Sequence, residues 1–251
     1  MTGEVARWRM LMGAGIRPWT DHPGMVHRAD EACWLALSGL PSPDVNMALV
    51  ADGDPAVLAG ALKEIDEVGA PALVLLAGAG RSRAGDLADP WLSVGEMPMM
   101  SIELEAAVRR ADARVRRAEA GDEAAVMGLL VDAFQMAPEV VSICTDPIAR
   151  QGDVMGIWLL EDDGEAVSTV TTTRTDEVVS IWCMGTPARY ARRGYGSAII
   201  AAVLEHYHAE GVRTGLLGAT PAGQPLYEAT GWQHVEQWSI FTNATSAQFS
   251  H

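Results

Sequence analysis

The stretch ARRGYGSAII, Ala191 to Ile200, sets two arginines against a glycine pair at the start of an apolar run. Those residue types suit an anion. The first turn of a helix leaves backbone N–H groups without intrahelical acceptors, and its dipole favours negative charge. Gly194 and Gly196 let the backbone approach a diphosphate that a side chain would hold off. Arg192 and Arg193 can add charge-assisted hydrogen bonds, with Arg189 close by. Tyr195, between the glycines, is expected to point away from the anion. The pattern lacks the G-K-[ST] of a Walker loop and the third glycine of a dinucleotide fingerprint. Taken alone, it equally suits a plain corner into a helix.

Metal and disulfide chemistry have little support. Cys33, Cys144 and Cys183 lie far apart, and no Cys/His cluster has ligand spacing, so no metal site is expected.

The elements around the arginines are legible. RVRRA (Arg114 to Ala118) reads as a short strand. A helix then follows Gly121-Asp122, with Val126, Leu129, Leu130, Ala133 and Phe134 on one face and Pro138 as its stop. VMGIWLLE (Val154 to Glu161), EAVSTVTTTR (Glu165 to Arg174) and EVVSIWCMG (Glu177 to Gly185) read as three antiparallel strands joined by tight turns. The helix opened by the glycine pair runs to about Ala209, and TGLLGAT (Thr214 to Thr220) is a strand. A short helix begins near Pro225, and QHVEQWSIFT (Gln233 to Thr242) alternates as a final strand. The order is β-α-β-β-β-α-β-α-β, a mixed α/β fold.

Two motifs now stand in a defined context. MGTPARYARRGYGSAIIAAVL, from Met184, resembles the acetyl-CoA-binding motif of the GNAT N-acetyltransferase superfamily, written [RQ]-x-x-G-x-[GA] between a strand and a helix. PLYEATGW (Pro225 to Trp232) resembles the superfamily's second signature, often LYxxxGF. The strand order also matches that fold, and the resemblance covers roughly Arg114 to His251. It departs at the first motif position, where Ala191 replaces the usual Arg or Gln.

The resemblance implies acetyl-CoA as co-substrate. It places Met184, Gly185 and Thr186 along the cofactor through their backbone, at a strand end that splays from its neighbour. It assigns the diphosphate to the backbone of Arg192, Arg193, Gly194, Tyr195, Gly196 and Ser197. Tyr227 falls at the tyrosine position that often protonates the leaving thiolate, and a phenol of ordinary pKa near 10 can donate at neutral pH. The glutamate base of some members would fall at Ser180, which cannot serve, so Glu177, Asp176, Glu139 or a water chain are left as candidates. His206 and His208 are expected to be helix-packing or surface residues.

The first half is read less directly. ACWLALSG (Ala32 to Gly39), VNMALVA (Val45 to Ala51), PALVLLAG (Pro71 to Gly78) and MPMMSIEL (Met97 to Leu104) are strand candidates, and Pro55 to Gly69 fits a helix. The strand-helix-strand-short helix-strand order from Val45 to Leu104 repeats that from Val178 to Thr242. This predicts tandem GNAT-like domains, a degenerate copy at 1–112 and an acetyltransferase domain at 113–251. LLAGAGRSRAG (Leu75 to Gly85) imitates a phosphate loop but follows the wrong strand in the repeat. The true counterpart of RRGYGSA is ADGDPAV (Ala51 to Val57), whose two aspartates would repel a diphosphate.

Bulk properties narrow the partners. The chain has 251 residues, 49% of them hydrophobic, and a net charge of -15. An acidic surface disfavours nucleic acid and anionic lipid and suits a cationic amine. MTGEVARWRM lacks a signal-peptide core, and no apolar run reaches the roughly 18 residues of a membrane helix, so a cytoplasmic monomer or homodimer is expected. The expected activity is acetyl transfer to a primary amine of a small molecule or peptide. A non-catalytic acyl-CoA-binding sensor, or an enzyme for longer acyl chains or hydroxyl acceptors, are the other readings.

Overall fold

The computed structural model describes residues 2–20, 23–150 and 154–244. Its elements run α1 (Thr2–Gly15), β1 (Val26–Ala29), β2 (Cys33–Leu37), β3 (Asn46–Val50), α2 (Pro55–Val68), β4 (Leu73–Leu76) and β5 (Leu92–Glu103). There follow β6 (Val115–Arg117), α3 (Glu123–Phe134), α4 (Pro138–Arg150), β7 (Met155–Asp162), β8 (Glu165–Thr175) and β9 (Val178–Gly185). The last are α5 (Tyr195–Ala209), β10 (Thr214–Gly218), α6 (Gln224–Ala229) and β11 (Gln233–Thr242). The chain forms two compact units, Met1–Met99 with His234–Ser250, and Met100–Gln233.

Most predicted elements are found at or within a few residues of their expected places. The exceptions have local causes. Pro138 opens a helix instead of only ending one. Gln135 closes α3 in a left-handed conformation (φ 55°), and proline's fixed φ then suits the first turn of α4. Helix α1 and strand β1 stand outside the elements that the sequence predicts. The sequence of α1 has no sharp amphipathic stripe, yet Leu11 and Met12 are buried and Gly13 lies flat against the Trp34 ring.

In the second unit the strand order is β5-β10-β9-β8-β7-β6. β6 to β9 form an antiparallel meander, and β10 lies parallel to β9 after the α5 crossover. α3 packs near the end of β9, while α5 covers β7 and β8, where Tyr207 Oη meets Thr172 Oγ1 at 2.7 Å.

In the first unit the order is β1-β2-β3-β4-β11, with β3 and β4 parallel around α2. Its core joins Leu35, Val50 and Leu76 on the sheet to Leu58 and Ile65 on α2, with Phe241 from β11. α2 starts on Pro55 and ends at left-handed Gly69, as its sequence predicts, and Asp54 caps its first turn.

Each unit takes its last strand from the other half of the sequence. β11 pairs antiparallel with β4, Ser239 opposite Leu76 and Thr242 opposite Leu73. The end of β5 lies beside β10, where Leu104 N–H donates to the Arg213 carbonyl at 2.7 Å. The compact units therefore do not coincide with residues 1–112 and 113–251.

The glycine-rich stretch after β4 is a packing feature. It forms a 3-10 run, Gly78–Asp86. The Ala77 and Gly80 amides donate to the Val50 and Ala51 carbonyls. A Cβ on Gly80 would stand 2.3 Å from the Val50 oxygen, a contact between two stretches of backbone. Gly80→Ala is expected to destabilise the protein by about 2 kcal/mol, seen as a melting temperature lowered by roughly 5 °C. An unchanged melting temperature would show that the loop has room to spare.

Candidate active site

The site is built on the end of β9. Thr171 lies opposite Trp182, and the next pair is Thr169 with Gly185. Two residues of β9, Cys183 and Met184, thus face one residue of β8. Cys183 takes the extra step with a left-handed backbone (φ 44°). This is a β-bulge, which bends a strand and re-aims the side chain that follows. Ser168, fully buried on β8, holds the strand end: its Oγ donates to the Gly185 carbonyl (3.2 Å) and meets Thr186 Oγ1 (2.8 Å).

β9 also parts from β10. Their pairing runs from Val178/Thr214 to Ser180/Leu216, though β9 continues to Gly185 and β10 to Gly218. The parallel pair of the first unit, β3 and β4, stays joined to its last residues, Val50 with Leu76. Beyond Ser180 and Leu216 the ends of β9 and β10 are thus unpaired, and we call this parting of the strands, absent between β3 and β4, the slot.

Helix α5 starts at the mouth of that slot. Its N-cap is Gly194 (φ 81°), and no side chain caps the first-turn amides. Arg192 is left-handed too (φ 63°), and Arg192 and Arg193 are exposed. Successive amides turned in this way form a concavity for an anion. The start of α2 is different: Asp54 Oδ1 accepts from the Ala56 amide, and Asp52 Oδ1 from the Asp54 amide, each at 2.8 Å. Carboxylates already occupy that helix start.

The Tyr195 side chain turns toward the end of β7. Its Oη donates to Asp162 Oδ2 at 2.5 Å, and that hydrogen bond raises the Tyr195 pKa. The same hydroxyl, followed by Arg114, holds the Asp162 carboxyl below its ordinary value. Arg189 is engaged elsewhere, paired with Asp132 and lying over the Tyr190 ring.

Met184 ties the two motifs together. A Cβ on Gly196 would come within 2.9 Å of Met184 Cε and 3.3 Å of Leu226 Cδ2. The Tyr227 hydroxyl donates to Met184 Sδ at 3.3 Å. Tyr227 sits on α6 with its ring edge-on to Trp232, the centroids 5.7 Å apart. Burial pushes its phenol well above the ordinary tyrosine value, because a phenolate there would lose its hydration.

Not every candidate reaches the slot. Glu177 lies seven residues before Met184 along β9, a separation of about 20 Å. Asp176 is exposed at the turn before it (φ 53°). Ser180 is buried and carries no ionisable group. The Glu139 side chain lies outside the described residues. His206 packs edge-on against Trp158, and His208 Nδ1 lies 2.6 Å from Arg109, so both stay with the packing of α5. Sequence reasoning missed the Cys183 bulge and Ser168. No glycine marks the bulge, and Ser168 is one hydroxyl in a strand rich in them.

Residues 125–232 match the model of the Acetyltransferase (GNAT) family. The chain carries a domain of that family, which places it among the acyltransferases. No curated protein matches the chain. Among solved structures, it is similar to a GCN5-related N-acetyltransferase from Kribbella flavida (18% identity, 96% of each chain, TM-score 0.69). It is also similar to a putative GNAT-family acetyltransferase from Novosphingobium aromaticivorans (16% identity, 95% of this chain and 96% of that one, TM-score 0.59). A GCN5-related N-acetyltransferase from Sphaerobacter thermophilus gives 15% identity, 94% and 90% coverage and a TM-score of 0.57. At these identities the likeness is one of fold. Acyl-CoA is the donor class of the family, and the α5 first-turn amides, which have no side-chain cap, are of the kind that can hold its diphosphate.

Proposed function

We propose that the domain transfers an acetyl group from acetyl-CoA to a primary amine on a cationic small molecule or peptide. The observation that carries this reading is the Met184 side chain, which touches both the glycine of the diphosphate motif and the hydroxyl of the second signature. Acetyl-CoA, when bound, supplies an activated thioester. The backbone of Arg192 to Ser197 binds the diphosphate, and the Arg192 and Arg193 guanidinium groups add charge. Backbone groups of Met184, Gly185 and Thr186 line the slot and polarise the acyl carbonyl. As the amine nitrogen bonds to the acyl carbon and the carbon–sulfur bond breaks, Tyr227 would give its proton to the departing sulfur and regain one, through water, from the proton the amine sheds. The acidic chain favours a cationic acceptor.

The first half reads as a copy that has lost the cofactor. Asp54 fills the α2 helix start, and β3 stays zipped to β4.

A second reading, a CoA-binding sensor without catalysis, draws on the absence of a reachable base on β9, since Ser180 cannot ionise and Glu177 lies at the far end. One experiment separates the two. The protein is incubated with acetyl-CoA and a panel of polyamines, aminoglycosides and peptides, and products are read by mass spectrometry. Acetylated amine supports the enzyme; CoA binding without any acylated amine supports the sensor. The double variant Arg193→Glu/Gly196→Asp is expected to weaken CoA binding by on the order of 100-fold or more. Affinity within threefold of the wild type, measured by calorimetry, would remove the diphosphate assignment.

A further inference from the structure

The Met184 side chain lies across the route between the α5 helix start and Tyr227. Its Cε stands where a side chain on Gly196 would begin, and its Sδ accepts the Tyr227 hydroxyl at 3.3 Å. That is the one hydrogen bond the Tyr227 hydroxyl makes among the described residues. Tyr227 is only 7% exposed, and a buried hydroxyl without an acceptor is costly. The bulge at Cys183 aims Met184 this way, and Met184 itself is only half-buried. An unbranched thioether has the rotamers to swing out of such a position.

We propose that Met184 is a positioning residue for Tyr227 and a rotameric gate on the slot. In the free protein its sulfur holds the Tyr227 O–H aimed into the slot. When CoA binds, Met184 turns aside and the hydroxyl passes from one sulfur to another, so the buried phenol keeps an acceptor throughout. The exchange moves a hydrogen bond and breaks no covalent bond. This rests on the CoA reading of the same slot.

The test uses the full-length protein labelled with [13C]methyl-methionine and 15N, titrated with CoA. Met184→Leu assigns the Met184 methyl signal by its loss. The Met184 methyl is expected to shift with the same Kd as the Gly196 amide. If Gly196 responds and the Met184 methyl does not, the gate is wrong and the CoA site stands. If neither responds, the CoA reading fails and the gate with it. Removing the gate should also raise affinity, because a closed free state raises the apparent Kd in proportion to the inverse of the open fraction. Met184→Ala is expected to bind CoA about three- to tenfold more tightly. Equal or weaker binding by the alanine variant would make Met184 a mere wall of the slot and overturn the proposal.

Discussion

Tyr227→Phe is expected to lower kcat for acetyl transfer by about 100-fold or more, while CoA affinity stays within about twofold. The phenylalanine keeps the ring against Trp232 and removes only the hydroxyl that now reaches Met184. Loss of a contact made equally in the ground and transition states would weaken affinity and leave kcat unchanged, whereas loss of a proton given only as sulfur departs lowers kcat and leaves affinity unchanged. Burial raises the Tyr227 pKa, so the neutral donor form persists through the physiological range and beyond. Loss of this proton should therefore leave no falling limb in the kcat profile below about pH 10. Pre-steady-state acetylation of the best amine from the panel, followed from pH 6 to 10, reads both effects. Wild-type turnover in the phenylalanine variant would strip Tyr227 of its role. A falling limb below pH 9 that vanishes in the variant would show a phenol far more acidic than its burial dictates.

The parts of the site that depend on local chemistry are legible in the chain. Gly194 and Gly196 mark a helix start without a side-chain cap, and Asp52 and Asp54 mark one that is already occupied. Pro225 marks the turn that carries Tyr227. Alternation and β-branching give most of the strands, because each strand buries one face or both whatever its neighbour is. What is not legible is non-local. The period of a strand says which face is buried but not which strand lies alongside. Nothing in QHVEQWSIFT says that its partner is Leu73–Leu76, or in MPMMSIEL that its end lies beside Thr214–Gly218. The Cys183 bulge is similarly hidden. It is defined by a register against β8, and the residue that takes the left-handed step is not a glycine. The position of Glu177, at the opposite end of β9 from Met184 and Gly185, is likewise set by where the strand begins and ends.

The exchange of last strands predicts that a fragment cut at the boundary read from the sequence does not fold. Residues 113–251 lack Met100, Ile102 and Leu104, all buried, and the hydrogen bond from Leu104 to Arg213. Burial of three such side chains is worth about 5–9 kcal/mol, comparable to the whole net stability of a typical domain. The fragment also keeps β11 without β4, leaving Phe241 and the strand's unpaired backbone exposed as an aggregation edge. Residues 100–233, by contrast, hold a complete compact unit with Met184, Gly196 and Tyr227 inside it. The 113–251 fragment is expected to be insoluble or to lack a cooperative thermal transition, and 100–233 to be the better folded of the two. Circular dichroism and calorimetric melting of both fragments, beside the full chain, make the comparison. A cooperative transition in 113–251 near that of the full chain would mean that β5 contributes little to the second unit, and that β11 can close that unit when β4 is gone.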